Sequence, residues 1–114
     1  MEYIYKIDDR DLMKKGIYKI KSNLGPFYIG KTEVDFKTRW GNHIYSFEHL
    51  TCNRKFKAIL DSTSTLTFEV VMFLDDDSVI PMWETCWINC LSNPDLNVIH
   101  PKCHGNNFRC INTG

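Results

Sequence analysis

The sequence has no apolar run near the roughly 18 residues that a membrane-spanning helix needs. Its first residues, Met1-Glu2-Tyr3-Ile4-Tyr5-Lys6, lack the basic start and apolar stretch of a secretory signal. A cytosolic (cytoplasmic) protein with reduced thiols and no membrane association is therefore expected. Proline and glycine are few, and no low-complexity stretch or linker interrupts the 114 residues. One domain over residues 1–114 is expected, with no room for a second of ordinary size. Net charge is also missing, because 14 Lys and Arg balance 14 Asp and Glu. The balance hides a polarity: residues 1–60 hold twelve basic and seven acidic residues, a net of +5, and residues 61–114 hold two and seven, a net of −5. Such a chain can present a basic face to phosphates and an acidic pocket to a metal. Ordinary scatter of surface charge is the alternative.

What is present is an ordinary apolar share of 43% with 13% aromatics, enough for a soluble core. Tyr3–Ile7 and Gly16–Lys21 read as strands, and they echo each other over too few residues to be an architectural repeat. Ser22-Asn23-Leu24-Gly25-Pro26 is turn chemistry, and Phe27–Gly30 is the returning strand. A hairpin turning near Leu24 sets Tyr18 opposite Gly30 and Ile20 opposite Tyr28, with both tyrosines on one face. A helix follows, capped by Thr32 or Asp35, whose buried stripe is Phe36, Trp40, Ile44 and Phe47. Arg39 and His43 lie four apart along the edge of that stripe. A shorter helix is expected over Asn53–Leu60, a strand over Leu66–Leu74 and a last helix from about Ile80 to Leu91, with Glu84, Ile88 and Leu91 on one face. Pro94 follows that helix, and the tail 98–114 has little periodicity.

Gly16-Ile17-Tyr18 and Tyr28-Ile29-Gly30 thus stand on adjacent strands with nine residues between them. Lys31 follows, then Arg39-x-x-x-His43 on a helix, Glu84 on a late helix, and Pro94-Asp95-Leu96-Asn97. This constellation, over residues 16–97, resembles the GIY-YIG nuclease family. The Tyr-Ile-Gly-Lys-Thr wording is most similar to its phage and mobile-element (homing endonuclease) branch. The resemblance implies a mixed α/β (α+β) fold, a small three-stranded antiparallel sheet flanked by helices, with Tyr3–Ile7 as a further strand in reserve. It also implies a DNA endonuclease leaving 5′-phosphate and 3′-hydroxyl ends. Tyr18, Tyr28, Arg39, His43 and Glu84 would be its catalytic residues, and Lys31 and Asn97 its substrate contacts. The gap between the triplets is one residue shorter than the family's usual spacing. The segment from Glu84 to Asn97 is about one residue longer than in the repair nucleases, which leaves Asn93 as a substitute for Asn97.

The chemistry can be argued from the residues. Hydrolysis of a phosphodiester adds charge to an anion, so the site needs cations, a metal and a proton acceptor. Mg²⁺ or Mn²⁺ takes oxygen ligands and keeps several waters, so a single carboxylate, Glu84, can hold it. The run Asp75-Asp76-Asp77 is the alternative metal site, or a solvated turn. Tyr18 is the candidate proton acceptor, provided that Lys31, Arg39 or the metal lowers its pKa. Arg39 suits a bidentate phosphate contact. His43 can share in proton transfer or hydrogen-bond the nucleophile. Cys86, Cys90, Cys103 and Cys110, near His100 and His104, could hold a structural zinc, but their spacing matches no finger motif, and a zinc-free protein is the expectation. Two other functions compete: a nucleic-acid-binding or regulatory module that kept the fold and lost catalysis, and a small zinc-bound interaction protein. A homodimer or a separate specificity partner is open.

Overall fold

In a computed structural model the protein is described over residues 1–91, 96 and 97. The elements run β1 (Glu2–Lys6), β2 (Gly16–Ser22), β3 (Phe27–Thr32), α1 (Phe36–Glu48), α2 (Arg54–Leu60), β4 (Thr65–Phe73) and α3 (Ile80–Cys90), with short 3-10 turns at Asp9–Asp11 and Asp77–Val79. The sheet has four strands in the order β1-β4-β2-β3. This corrects the expected three. The echo strand Tyr3–Ile7 joins the sheet, and it runs parallel to β4, so the sheet is mixed rather than purely antiparallel. Four strands leave β4 and β2 without a free edge, which a sheet this small gains from.

The β2–β3 hairpin has the register that the turn chemistry sets: Tyr18 faces Gly30 and Ile20 faces Tyr28. Alternation then sorts the faces. Tyr18, Ile20, Leu66 and Phe68 point to one side, where α1 and α2 cover them with Phe36, Trp40, Phe47, Phe56 and Leu60. Ile17 and Ile29 point to the other, where α3 packs with Ile80, Trp83, Trp87, Ile88 and Leu91. Between Ile17 and Tyr18 the β2–β4 register slips by a residue, so that Ile17 faces Met72 but Tyr18 faces Val70. Next to this bulge Gly16 has φ +149°, and a Cβ there would stand 2.0 Å from the Met72 carbonyl oxygen. Only glycine fits both demands.

Asp35 is the cap of α1, its side chain accepting from Thr38 N at 2.6 Å. Thr32 supports it from behind by donating its hydroxyl to the Asp35 carbonyl. Asn53 caps α2 by accepting from Lys55 N and Phe56 N.

Candidate active site

Tyr18 is fully buried, yet its hydroxyl is not idle. Its ring lies across Gly30 of β3, where a Cβ would come within 2.5 Å of both Tyr18 Cζ and the hydroxyl oxygen. The glycine of the second triplet therefore makes room for the tyrosine of the first. Phe36 and Trp40 of α1 hold the ring edge-on. One turn along the same helix, Arg39 Nε donates to the Tyr18 oxygen at 3.2 Å. A turn further, His43 Nε2 stands 2.6 Å from that oxygen. Helical spacing thus delivers a fixed cation and a titratable nitrogen to the same hydroxyl. Tyr28 lies beside them on the same face, its ring 5.3 Å from that of His43.

The electrostatics decide the resting protonation. Burial pushes the Tyr18 phenol well above its ordinary range. Tyr28 raises it further, and Arg39 opposes the rise. Tyr28 is raised by burial and by Glu84, again against Arg39. Burial and then Arg39 push His43 down to about 3. At neutral pH the imidazole is uncharged, so with its proton on Nδ1 it can accept the Tyr18 hydroxyl hydrogen at Nε2. Arg39 has no acceptor and only donates, so in that tautomer the run reads guanidinium to phenol to imidazole.

Glu84 projects from α3, half-buried, and among the described residues it has no hydrogen bond or ion pair. Burial raises its pKa, while the charges of Lys31 and Arg39 lower it and Glu33 raises it. This is a carboxylate partly stripped of water, near two cations but bonded to neither, a donor set that suits a hard divalent ion. Lys31 itself pairs with Glu33 at 2.8 Å and is about one-third exposed. Glu33 was not legible as part of the site; two places after Lys31 beyond the strand, only the loop geometry brings the pair together.

Asn97 is anchored to the edge of β3. It is 7% exposed, and both ends of its amide are taken by one residue: Oδ1 accepts from Ile29 N at 2.9 Å and Nδ2 donates to the Ile29 carbonyl at 2.8 Å. The neighbouring Leu96 N donates to the Phe27 carbonyl, and Asn53 Nδ2 donates to the Leu96 carbonyl. Asn97 finishes the outer edge of β3 as a paired strand would, with one of its two Nδ2 hydrogens uncommitted among the described residues. Asn93, Pro94 and Asp95 lie outside the described residues, as does the tail with His100, Cys103, His104 and Cys110. Among the described residues Cys86 and Cys90 have no partner, and both are exposed. The acidic run is a capped turn: Asp76 accepts from Ser78 N and Oγ, and Asp77 pairs with Lys15. Among the described residues no three His, Cys, Asp or Glu side chains gather as a metal site.

A cleft of about 210 Å³ opens beside Tyr28, Arg39 and His43, continuing past Asn42, Ser46 and Cys52. The sequence did not signal it, because it forms where α1 and α2 meet.

The fold, the interlocked triplets and the Arg-His helix define a GIY-YIG site. The family model for the GIY-YIG catalytic domain matches residues 14–97, most of the chain. The protein belongs to the GIY-YIG family, and it is a nuclease domain whose substrate class is DNA. Comparison with curated proteins and with solved structures gives no match.

Proposed function

We propose that the protein is a metal-dependent endonuclease that hydrolyses DNA phosphodiester bonds to 5′-phosphate and 3′-hydroxyl ends, with Tyr18, Tyr28, Arg39, His43 and Glu84 as its catalytic residues. The observation that carries this reading is the hydrogen-bonded run from Arg39 through the Tyr18 hydroxyl to His43. With the His43 proton on Nδ1 it is a proton path from the phenol to the imidazole, and a domain kept only for binding has no need to bury one.

Glu84 would hold Mg²⁺ or Mn²⁺, which when bound supplies Lewis-acid stabilisation of the phosphate. The chain's own residues do the rest. Arg39 and Lys31 offset the charge of the scissile phosphate, and the guanidinium keeps the Tyr18 oxygen oriented. Water loses a proton to the Tyr18 oxygen as its own oxygen joins phosphorus, and Tyr18 passes its hydroxyl proton to His43 Nε2. The bond from phosphorus to the 3′ oxygen breaks, that oxygen takes up a proton from solvent water, and His43 returns its proton to solvent. Tyr18 never has to persist as a phenolate, which answers its raised pKa. His43 is the final acceptor, and the growing negative charge nearby favours its cationic form. Tyr28 lines the cleft side and positions water or phosphate. The Tyr28–Thr32 wording supports a phage or mobile-element origin and hence a cytoplasmic setting.

Incubation with supercoiled plasmid tests the reading. Nicked or linear product is expected with Mg²⁺ or Mn²⁺ and none in excess EDTA. Full cutting in EDTA, or no cutting with any divalent ion, overturns it.

A further inference from the structure

The two outer edges of the sheet are not alike. On β3 the edge is finished by Leu96 N, which donates to the Phe27 carbonyl, and by the Asn97 amide on Ile29. On β1 no described residue does the same, because β1 ends the strand order and pairs with β4 alone. Glu2 N donates to the Ser64 carbonyl at 2.9 Å. By alternation Glu2, Ile4 and Lys6 turn their backbone groups toward β4, and Tyr3 and Tyr5 turn theirs outward. Such an edge is a template for another strand, and natural edges are blunted by proline, by a bulge or by lysine. The strand Glu2-Tyr3-Ile4-Tyr5-Lys6 has no proline, and its pairing with β4 runs without a register shift. Ile4 is 38% exposed and Tyr5 48%. Lys6 alone would repel a second copy, but Glu2 stands exposed at the opposite end of the same strand.

We propose that β1 is the interface with a second copy of this chain, the two β1 strands running antiparallel about a two-fold axis at Ile4. In that register the strand is its own complement. Ile4 faces Ile4, Tyr3 faces Tyr5, and Glu2 faces Lys6 on both sides of the axis. The backbone selects the same register independently of the side chains. Tyr3 and Tyr5 carry the outward groups, so the Tyr3–Tyr5 pairs are the hydrogen-bonded ones, each exchanging both of its backbone bonds. Glu2–Lys6 and Ile4–Ile4 then fall in the non-hydrogen-bonded positions, where Cβ atoms stand about 4.5–5.5 Å apart and opposite charges pair best. A shift of two residues sets Glu2 or Lys6 against Ile4 and leaves the other charges unpaired, and parallel pairing in register sets Glu2 against Glu2 and Lys6 against Lys6. An extended segment of another protein could use the same backbone groups, but this chain's own strand has the charges in matching order. Five residues a side is short against the roughly 20–30 of a standard interface, so the dimer is weak and forms with concentration. It stands apart from the nuclease reading, since β1 carries none of the catalytic residues.

Sedimentation of the untagged full chain at low salt, from about 1 to 500 µM, tests this. The mass should rise from one chain toward two across that range. Lys6→Glu sets an acid opposite Glu2, and Glu2→Lys sets a base opposite Lys6, so each alone should weaken self-association about tenfold or more. Mixed in equal amounts, the two variants complement each other and should associate nearly as well as the parent, as should the chain carrying both exchanges. Both residues are exposed, and rescue by mixing cannot come from a folding defect. Amide hydrogen exchange reads the register: the Tyr3 and Tyr5 amides should slow as concentration rises, while the Ile4 amide, turned toward β4, should not change. A parent that stays monomeric across the range overturns the proposal. So do single variants that associate like the parent, a mixture as weak as its components, or Tyr3 and Tyr5 amides that exchange at the same rate at every concentration.

Discussion

The Tyr18 hydroxyl, carried on β2, meets His43 Nε2, carried on α1, at 2.6 Å, and Arg39 Nε closes on the same oxygen from one turn away. Tyr18→Phe keeps the ring against Phe36 and Trp40 and removes only the shared oxygen. Loss of a proton-transferring group costs about a hundredfold or more in rate. Single-turnover cutting of plasmid should therefore fall by at least that much, with thermal stability near the parent's. A Tyr18→Phe protein that cuts at the parental rate would remove Tyr18 from the chemistry.

Gly30→Ala tests the same oxygen through space. The added methyl has nowhere to go but into Tyr18 and Tyr28, whose atoms stand 2.5 and 2.6 Å from its position. Overpacking of this kind costs about 1–3 kcal/mol. The displaced hydroxyl should also lose its contact with Arg39 or His43. Cutting is expected to drop further than stability alone explains, measured as rate at a temperature where the variant is fully folded.

His43 links the site to pH. Its folded pKa of about 3 lies below the ordinary 6.5, so the unfolded chain binds the extra proton first. Stability from this group is complete above about pH 6.5 and is lost as pH falls from there toward 3, with a slope of at most about 1.4 kcal/mol per pH unit. Glu84, with its pKa raised, works in the opposite sense, losing stability as pH rises through its range. The difference between parent and His43→Gln isolates the histidine. Denaturant melts from pH 7 to 4 should show the parent losing stability faster than His43→Gln. Parallel curves would mean that His43 is not held neutral.

Much of this was legible in the sequence because it is local. The hairpin register followed from turn chemistry and two-residue alternation, and it set Tyr18 against Gly30 correctly. The stripe Phe36, Trp40, Ile44, Phe47 fixed how α1 lies, and so which edge Arg39 and His43 occupy. What was not legible is long-range. The parallel pairing of β1 with β4 joins segments some sixty residues apart, and no periodicity encodes it. The joining of Tyr18 to His43 depends on how closely α1 sits on the sheet, which Gly30 permits. Asn97 came from the resemblance, as a substrate contact; its pairing with Ile29 was not legible, because nothing in its neighbours signals that β3 has an outer edge in need of partners.

That edge gives a stability prediction. Asn97→Ala would leave the Ile29 N–H and carbonyl buried without their side-chain partners, at a cost of about 1–3 kcal/mol for each unsatisfied group. For a domain of this size 1 kcal/mol moves the melting temperature by about 4–8 °C, so a fall on the order of 10 °C is expected. DNA affinity of the folded variant should stay near the parent's. The reverse pattern, an unchanged melting temperature with weakened binding, would make Asn97 a substrate contact and not a support of the β3 edge.

Glu84 and Arg39 separate chemistry from binding. Glu84 is the half-buried carboxylate near Lys31 and Arg39, and losing the ion it would hold removes several kcal/mol of transition-state stabilisation. At about 1.4 kcal/mol for each factor of ten, Glu84→Ala should lose on the order of a thousandfold in rate. It should fold, because the side chain has no hydrogen bond among the described residues and its burial is unfavourable to the charged form. Removing a negative charge also relieves repulsion of phosphate, so DNA binding should be as tight as the parent's or tighter. Arg39→Ala differs in kind. It removes one donor among several to the phosphate, and it also frees the Tyr18 oxygen from its fixed partner, so the rate should fall by a similar or smaller factor while binding weakens and its salt slope drops by about one. The two variants thus move binding in opposite directions while both lose cutting, a pattern that misfolding cannot produce. If Glu84→Ala folds and cuts at near the parental rate, the metal assignment fails, and Asp75, Asp76 and Asp77 are the next carboxylates to replace.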